Sequence, residues 1–174
     1  PTPLHSRAVG SPLFLDTFTA LGAHPTVMCL AVALPGCASG AVDGQENPIA
    51  VYQAAKLHTV AQKHITMWGY VNDPLVFVVN KDIWNSWTPA DREIVKQAAI
   101  DAGKEEIAIA RKGMVEADKP LLKEIAANGV TVTQLSAAER EAFVKATRPV
   151  YDKWKNQIGA DLVTAAEKAI AARK

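Results

Sequence analysis

Apolar positions along this chain fall into blocks whose spacing switches between helical and extended. Ser11-Pro12 followed by Leu13, Phe14, Phe18 and Leu21 sets apolar residues at helical intervals with Gly22 as a stop, which predicts a short helix. From Pro48 to Gln62, Ile49, Tyr52, Ala55 and Leu57 recur without an internal breaker, and Pro48 suits a first helical turn, so a second helix is expected there, entered from a loop. Leu75-Val76-Phe77-Val78-Val79 is a continuous β-branched and aromatic run between Asn72-Asp73-Pro74 and Asn80-Lys81-Asp82. It predicts a strand covered on both faces, and such a strand needs neighbours.

Thr88-Pro89-Ala90-Asp91 reads as a helix start, with Thr as cap and an acidic residue three positions on. Ile94, Val95, Ala98, Ala99, Ala102, Ile109 and Met114 continue one apolar face, and only Pro120 and Asn128-Gly129 interrupt it. A straight helix of that extent would be about 60 Å long, so the segment is expected to bridge two bodies or to bend at Pro120. Val130 to Thr133 alternates as a short strand, Ser136 to Glu139 repeats the capping signature, and Phe143, Val144, Val150, Tyr151 and Trp154 carry a helix that Pro149 should kink. A last amphipathic helix runs from Asp161 to Ala172.

Composition narrows the function classes. Of 174 residues 49% are hydrophobic, enough for a packed core, and 19 Lys+Arg against 18 Asp+Glu leave a net charge of +1, which gives no basic field for nucleic acid or anionic lipid. Residues 1–66 hold only Arg7, Asp16, Asp43, Glu46, Lys56 and Lys63 as charged groups, so the first third reads as buried α/β and the rest as amphipathic helix. No apolar run approaches a membrane span, since Val27 to Leu34 meets Pro35 and Gly36. The opening Pro-Thr-Pro-Leu-His-Ser-Arg shows neither a basic leader nor an apolar core of an export signal.

Little in the chain suggests bond-making chemistry. His58 and His64 lie six apart, a spacing that puts them on different helical faces, and no metal is expected. Cys29 and Cys37 sit in apolar surroundings and are expected to be small buried residues rather than nucleophiles. Leu34-Pro35-Gly36-Cys37 resembles a lipoprotein cleavage box only superficially, being internal and without preceding basic residues. The polar cluster Ala41-Val42-Asp43-Gly44-Gln45-Glu46-Asn47-Pro48 fits a plain loop with a helix entry, and equally a site where Asn47 offers donors and an acceptor to a ligand at a helix N-terminus.

The Val42 to Pro48 string resembles the signature of the solute-binding proteins of tripartite ATP-independent periplasmic (TRAP) transporters. Arg7 with Ser11-Pro12, Leu21-Gly22-Ala23 with Pro25-Thr26 and Met28, and Tyr70 to Lys81 occur in that family's order. The resemblance implies that Arg7 makes a two-pronged salt bridge to a substrate carboxylate and that Asn47 adds a hydrogen bond. Guanidinium geometry suits that role better than a lysine's point charge. It also implies that Leu30 stands where the family has a pocket phenylalanine, with Ala31 to Ser39 departing from the family pattern. Trp68, Tyr70 and Asn72 are placed near a crossover and cleft, although core packing explains the aromatic residues equally well.

The implied fold is α/β, a periplasmic-binding-protein-like two-lobe architecture of which this chain holds mostly the second lobe, part of the first and a long bridging helix. Residues 1–67 are expected to be the second-lobe α/β part, 68–88 the crossover and a first-lobe strand, 89–128 the long inter-lobe helical segment, and 129–174 the return to the second lobe. The expected function is that of a periplasmic receptor fragment, not an enzyme and without cofactor, that binds a small organic acid for a TRAP permease. The alternative is a truncated, self-associating structural module without ligand-binding competence.

Overall fold

The computed structural model describes residues 3–71, 74–112, 114 and 119–172. It forms two compact units, one of Pro1–Trp68 with Thr133–Lys174 and the other of Gly69–Val132.

The first unit is built on a parallel sheet. Strand β1 (His5–Ala8) lies between β2 (His24–Val27) and β3 (Gly44–Gln45), giving the order β2-β1-β3. Arg7 sits opposite Thr26 on one side and Gln45 on the other. Parallel strands need crossovers, and helices α1 (Pro12–Ala20) and α2 (Leu30–Ser39) supply them. The Ser11-Pro12 start and the stop near Gly22 bound α1 as the spacing predicts.

Strand β2 has no apolar alternation and contains Pro25, yet it pairs along its length with β1. The reason is its place at an edge. The His24 N–H donates inward to the Leu4 carbonyl at 2.8 Å, so the next residue faces its nitrogen outward, where proline forfeits no ladder bond. Helix α2 likewise runs through Pro35 and Gly36, which read as breakers in sequence. Burial decides it: Ala33 and Cys37, one turn apart, are 1% and 3% exposed, and the helix ends only at Gly40, whose φ of 76° suits glycine.

The helix expected over residues 48–62 is shorter. Helix α3 spans Ile49–Ala54, Lys56 then turns left-handed at φ 49°, and a 3-10 turn follows at Leu57–Thr59. That break drives Leu57 fully into the core and lets the Tyr52 hydroxyl donate to the Gln62 carbonyl at 2.5 Å. Strand β4 (His64–Met67) pairs with β5 (Thr131–Gln134) in a two-stranded sheet, β5 falling within one residue of its expected place.

In the second unit α4 (Lys81–Ser86) is capped by Asn80, whose side chain accepts from the Asp82 and Ile83 amides. Helix α5 (Pro89–Arg111) starts at the expected Thr88 cap but stops well before Pro120, with Lys112 extended and a glycine next in sequence. A separate α6 (Pro120–Ala127) buries Leu122 and Ile125. The run Leu75–Val79 corrects the strand expectation: it belongs to no strand, and Leu75, Val76, Phe77 and Val78 are 74–84% exposed. A β-ladder requires a second strand, and none of the described residues offers one.

Back in the first unit, α7 (Ala137–Ile158) opens on a complete capping box between Ser136 and Glu139 and continues through Pro149, and α8 (Ala160–Ala171) follows. Helix α7 packs on α1. There the Asp16 carboxylate accepts from Lys153 Nζ at 2.6 Å and Trp154 Nε1 at 2.7 Å.

Candidate functional site

A parallel sheet exposes the carboxyl ends of its strands as the natural place for a ligand, because the crossovers leave a crevice there. Arg7, the third residue of the central strand, is only 4% exposed, an uncommon fate for arginine unless its charge is met. Its neighbours meet it from both flanking strands. Nε donates to the carbonyl of Met28, just past β2, at 2.7 Å. Nη1 donates to the Glu46 carbonyl at 3.3 Å and to Glu46 Oε1 at 3.2 Å, just past β3. This is a buried ion pair, the two side chains being 5% and 9% exposed. The described residues form no hydrogen bond to Nη2.

Such an arrangement fixes the guanidinium plane. Two backbone carbonyls and one carboxylate hold Nε and Nη1, so rotation about the side chain is closed off while the remaining amino group keeps both its hydrogens. The nearby Cys37 thiol is pushed above its ordinary pKa by burial, with the positive charge of Arg7 acting weakly the other way.

Asn47 is the residue after Glu46 and stands one position before the Pro48 cap of α3, half-buried. Its Nδ2 donates to Gln45 Oε1 in a short contact, which orients the amide from within the same loop. Arg7 and the Glu46-Asn47 pair are thus brought together at one end of the sheet. Leu30, half-buried, is the first residue of α2, two positions after the Met28 carbonyl that receives Arg7.

Trp68 is half-buried in an aromatic cluster, 6.3 Å from the Phe18 ring centroid and 5.1 Å from that of Phe143, which joins α1 and α7. Tyr70 is half-buried and belongs to the second unit, and Asn72 lies outside the described residues.

Cys37 is buried as expected, whereas Cys29 is exposed at the cap position of α2, where the chain turns out of β2 toward the surface. Among the described residues no group of three or more His, Cys, Asp or Glu side chains could hold a metal. Nor is any of their helices long and apolar enough to cross a membrane.

Sequence reasoning missed Glu46 as the partner of Arg7, although its place beside Asn47, with Asp43 the one other charged residue between Asp16 and Lys56, was a usable signal. The Met28 carbonyl had no signal, since any residue carries one.

The profile of the bacterial extracellular solute-binding protein family 7 (DctP) matches residues 4–157. A TRAP periplasmic solute-binding protein from Ralstonia eutropha H16, solved with bound (S)-2-acetolactate, is 66% identical and superposes with a TM-score of 0.96 over 98% of this chain and 54% of its own. The C4-dicarboxylate-binding periplasmic protein DctP of Rhodobacter capsulatus is 31% identical over 97% of this chain and 49% of its own length. The sugar acid binding protein of Advenella mimigardefordensis, solved with galactonate, is 25% identical with a TM-score of 0.85, over 99% of this chain and 54% of its own. The chain therefore spans about half the length of these relatives. With its profile match across most of the sequence and its α/β architecture shared with TRAP receptors, the chain belongs to the DctP family of bacterial extracellular solute-binding proteins.

Proposed function

We propose that Arg7 and Asn47 form the carboxylate end of the binding site of a periplasmic receptor, which captures a small organic acid and delivers it to a TRAP membrane permease. The observation that carries this reading is the buried guanidinium at the carboxyl edge of the sheet, held through Nε and Nη1 with Nη2 left for an incoming oxygen. A ligand carboxylate takes Nη2 first. Release of the longer Nη1 bond to the Glu46 carbonyl then completes a two-pronged bridge. Asn47 supplies a further hydrogen bond from the loop before α3.

The 66% identical relative with bound (S)-2-acetolactate supports a short, branched, hydroxy- and oxo-substituted acid as the ligand class. In this reading Leu30 forms an apolar wall near the acid's body, and Trp68, Tyr70 and Asn72 are further candidate contacts. Residues 1–67 and 129–174 then make up the second lobe, 68–88 the crossover and first-lobe segment, and 89–128 the inter-lobe helical segment. Capture and release make and break no covalent bond, so the role is that of a receptor, not an enzyme. The exposed apolar run at residues 75–78 favours a second reading, a self-associating module without ligand competence.

Calorimetric titration of the full-length protein with 2-acetolactate and related short acids tests the proposal. Arg7→Lys keeps the charge but loses the planar fork, and is expected to weaken binding about tenfold or more. Asn47→Ala, at a half-buried position, is the companion variant that leaves the ion pair intact. Unchanged dissociation constants in both variants, with folding verified by circular dichroism, would refute the assignment.

A further inference from the structure

Strand β3 and the loop leaving it gather polar side chains on one face of the sheet. Gln45 is the register partner of Arg7 across the parallel β1 and β3 pair, and residues paired in this way carry their side chains to the same side. Asn47 lies two positions on, which returns an extended chain to that face, and Pro48 after it holds its backbone out of the helical region. There the two amides meet. Asn47 Nδ2 donates to Gln45 Oε1, while no described residue donates to Asn47 Oδ1. A carboxamide has a donor end and an acceptor end, and the bond to Gln45 settles which is which. One Nδ2 hydrogen goes to Gln45, so the second hydrogen and Oδ1 are left, a donor beside an acceptor.

We infer that Gln45 is a positioning residue for the ligand site, and that by fixing Asn47 with its acceptor available it makes the site prefer acids with a hydroxyl on the carbon next to the carboxylate over their 2-oxo counterparts. This rests on the reading of Arg7 and Asn47 as the carboxylate end. A 2-hydroxy carboxylate complements the Asn47 pair, since a carboxylate oxygen accepts from Nδ2 and the neighbouring hydroxyl donates to Oδ1. A 2-oxo acid has no hydrogen to give, and its ketone oxygen meets Oδ1 lone pair against lone pair. Turning the Asn47 amide to offer Nδ2 instead brings Oδ1 against Gln45 Oε1, which exchanges a hydrogen bond for two facing acceptors unless both amides turn together. The acid bound by the 66% identical relative, 2-hydroxy-2-methyl-3-oxobutanoate, carries such a hydroxyl.

Calorimetric titration of the full-length protein with (S)-2-hydroxy-3-methylbutanoate and 2-oxo-3-methylbutanoate, short branched acids that differ only in the oxidation of one carbon, tests it, with (S)-2-acetolactate as reference ligand. The expected result is at least about tenfold tighter binding of the hydroxy acid, because a site built to bond a hydroxyl is left unpaired by the analogue without one. Gln45→Leu removes the acceptor and frees Asn47 to turn, so the two acids should then bind within about twofold of each other. Gln45→Glu supplies a carboxylate that can only accept, so it should keep or widen the preference. The ratio between the acids is the readout, because a general loosening of the loop weakens both alike. Equal binding of the two acids by the parent overturns the inference and leaves the carboxylate reading standing. A preference that survives Gln45→Leu, or is lost in Gln45→Glu, overturns it too, as does acetolactate binding with which neither matched acid competes. Failure of the parent to bind any of the three overturns the carboxylate reading itself, and this inference with it.

Discussion

If Arg7 binds the ligand as proposed, one side chain is both structural and functional. Buried on the central strand, it satisfies two carbonyls and pairs with Glu46, and the same bonds aim its remaining amino group. Removing the carboxylate should therefore be felt in stability before it is felt in binding. Glu46→Gln is expected to lower unfolding free energy by about 3 kcal/mol, the usual cost of leaving one charge of a buried pair uncompensated. A urea midpoint indistinguishable from the parent would show that Glu46 does not hold the guanidinium. At this scale the sequence made Arg7 and Asn47 visible because a family string and a residue type point to them. Glu46 looked like ordinary loop polarity, and the Met28 carbonyl was invisible, because backbone groups acquire meaning only once strands are aligned. Trp68 stood out by residue type, and the structure sets it beside Phe18 and Phe143.

Between elements, the polar clasp of α1 on α7 is the informative contact. The Asp16 carboxyl is held below the ordinary value of 3.8, chiefly by its hydrogen bond from Lys153 and next by that from Trp154. A carboxyl whose folded pKa is depressed stabilises the fold above its unfolded value and loses that contribution as pH falls through the folded one. Asp16→Asn should accordingly destabilise the protein at neutral pH, and the gap between parent and variant should narrow as pH drops below 3.8, as urea midpoints taken across the range would report. A gap independent of pH would mean that the clasp acts by shape alone.

Elements with strong local signals were legible: α1, the starts of α5 and α7 at Thr88 and Ser136, β5 and α8 lie where caps and periodicity put them. Those decided by tertiary burial were not. Proline-containing β2 depends on being an edge, α2 persists through Pro35 because Ala33 and Cys37 are buried, and the apolar Leu75–Val79 run fails to become a strand because strands are made in pairs.

Across the whole molecule, burial is unequal. The first unit buries Ala8, Ala33, Cys37, Val42, Tyr52, Leu57 and Val150, whereas the described residues of the second bury Leu122, Ile125 and Val130, and α5 has no buried residue along its 23 positions. Local opening is easiest where few apolar groups are covered, so in the monomeric chain amides of α5 should exchange faster than those of β1, despite α5 being a regular helix. Equal protection in a monomer would contradict the burial pattern. The first unit is also discontinuous in sequence, and this bears on how the chain is made. Asp16 and Lys153, which meet in the clasp, are 137 residues apart. On a ribosome adding roughly 5 to 20 residues per second, α1 emerges about 7 to 27 seconds before α7 exists to cover it. For that interval Phe14 and Phe18 are nascent-chain surface, a period in which a holding chaperone has something to grip and a stalled ribosome leaves a half-built sheet.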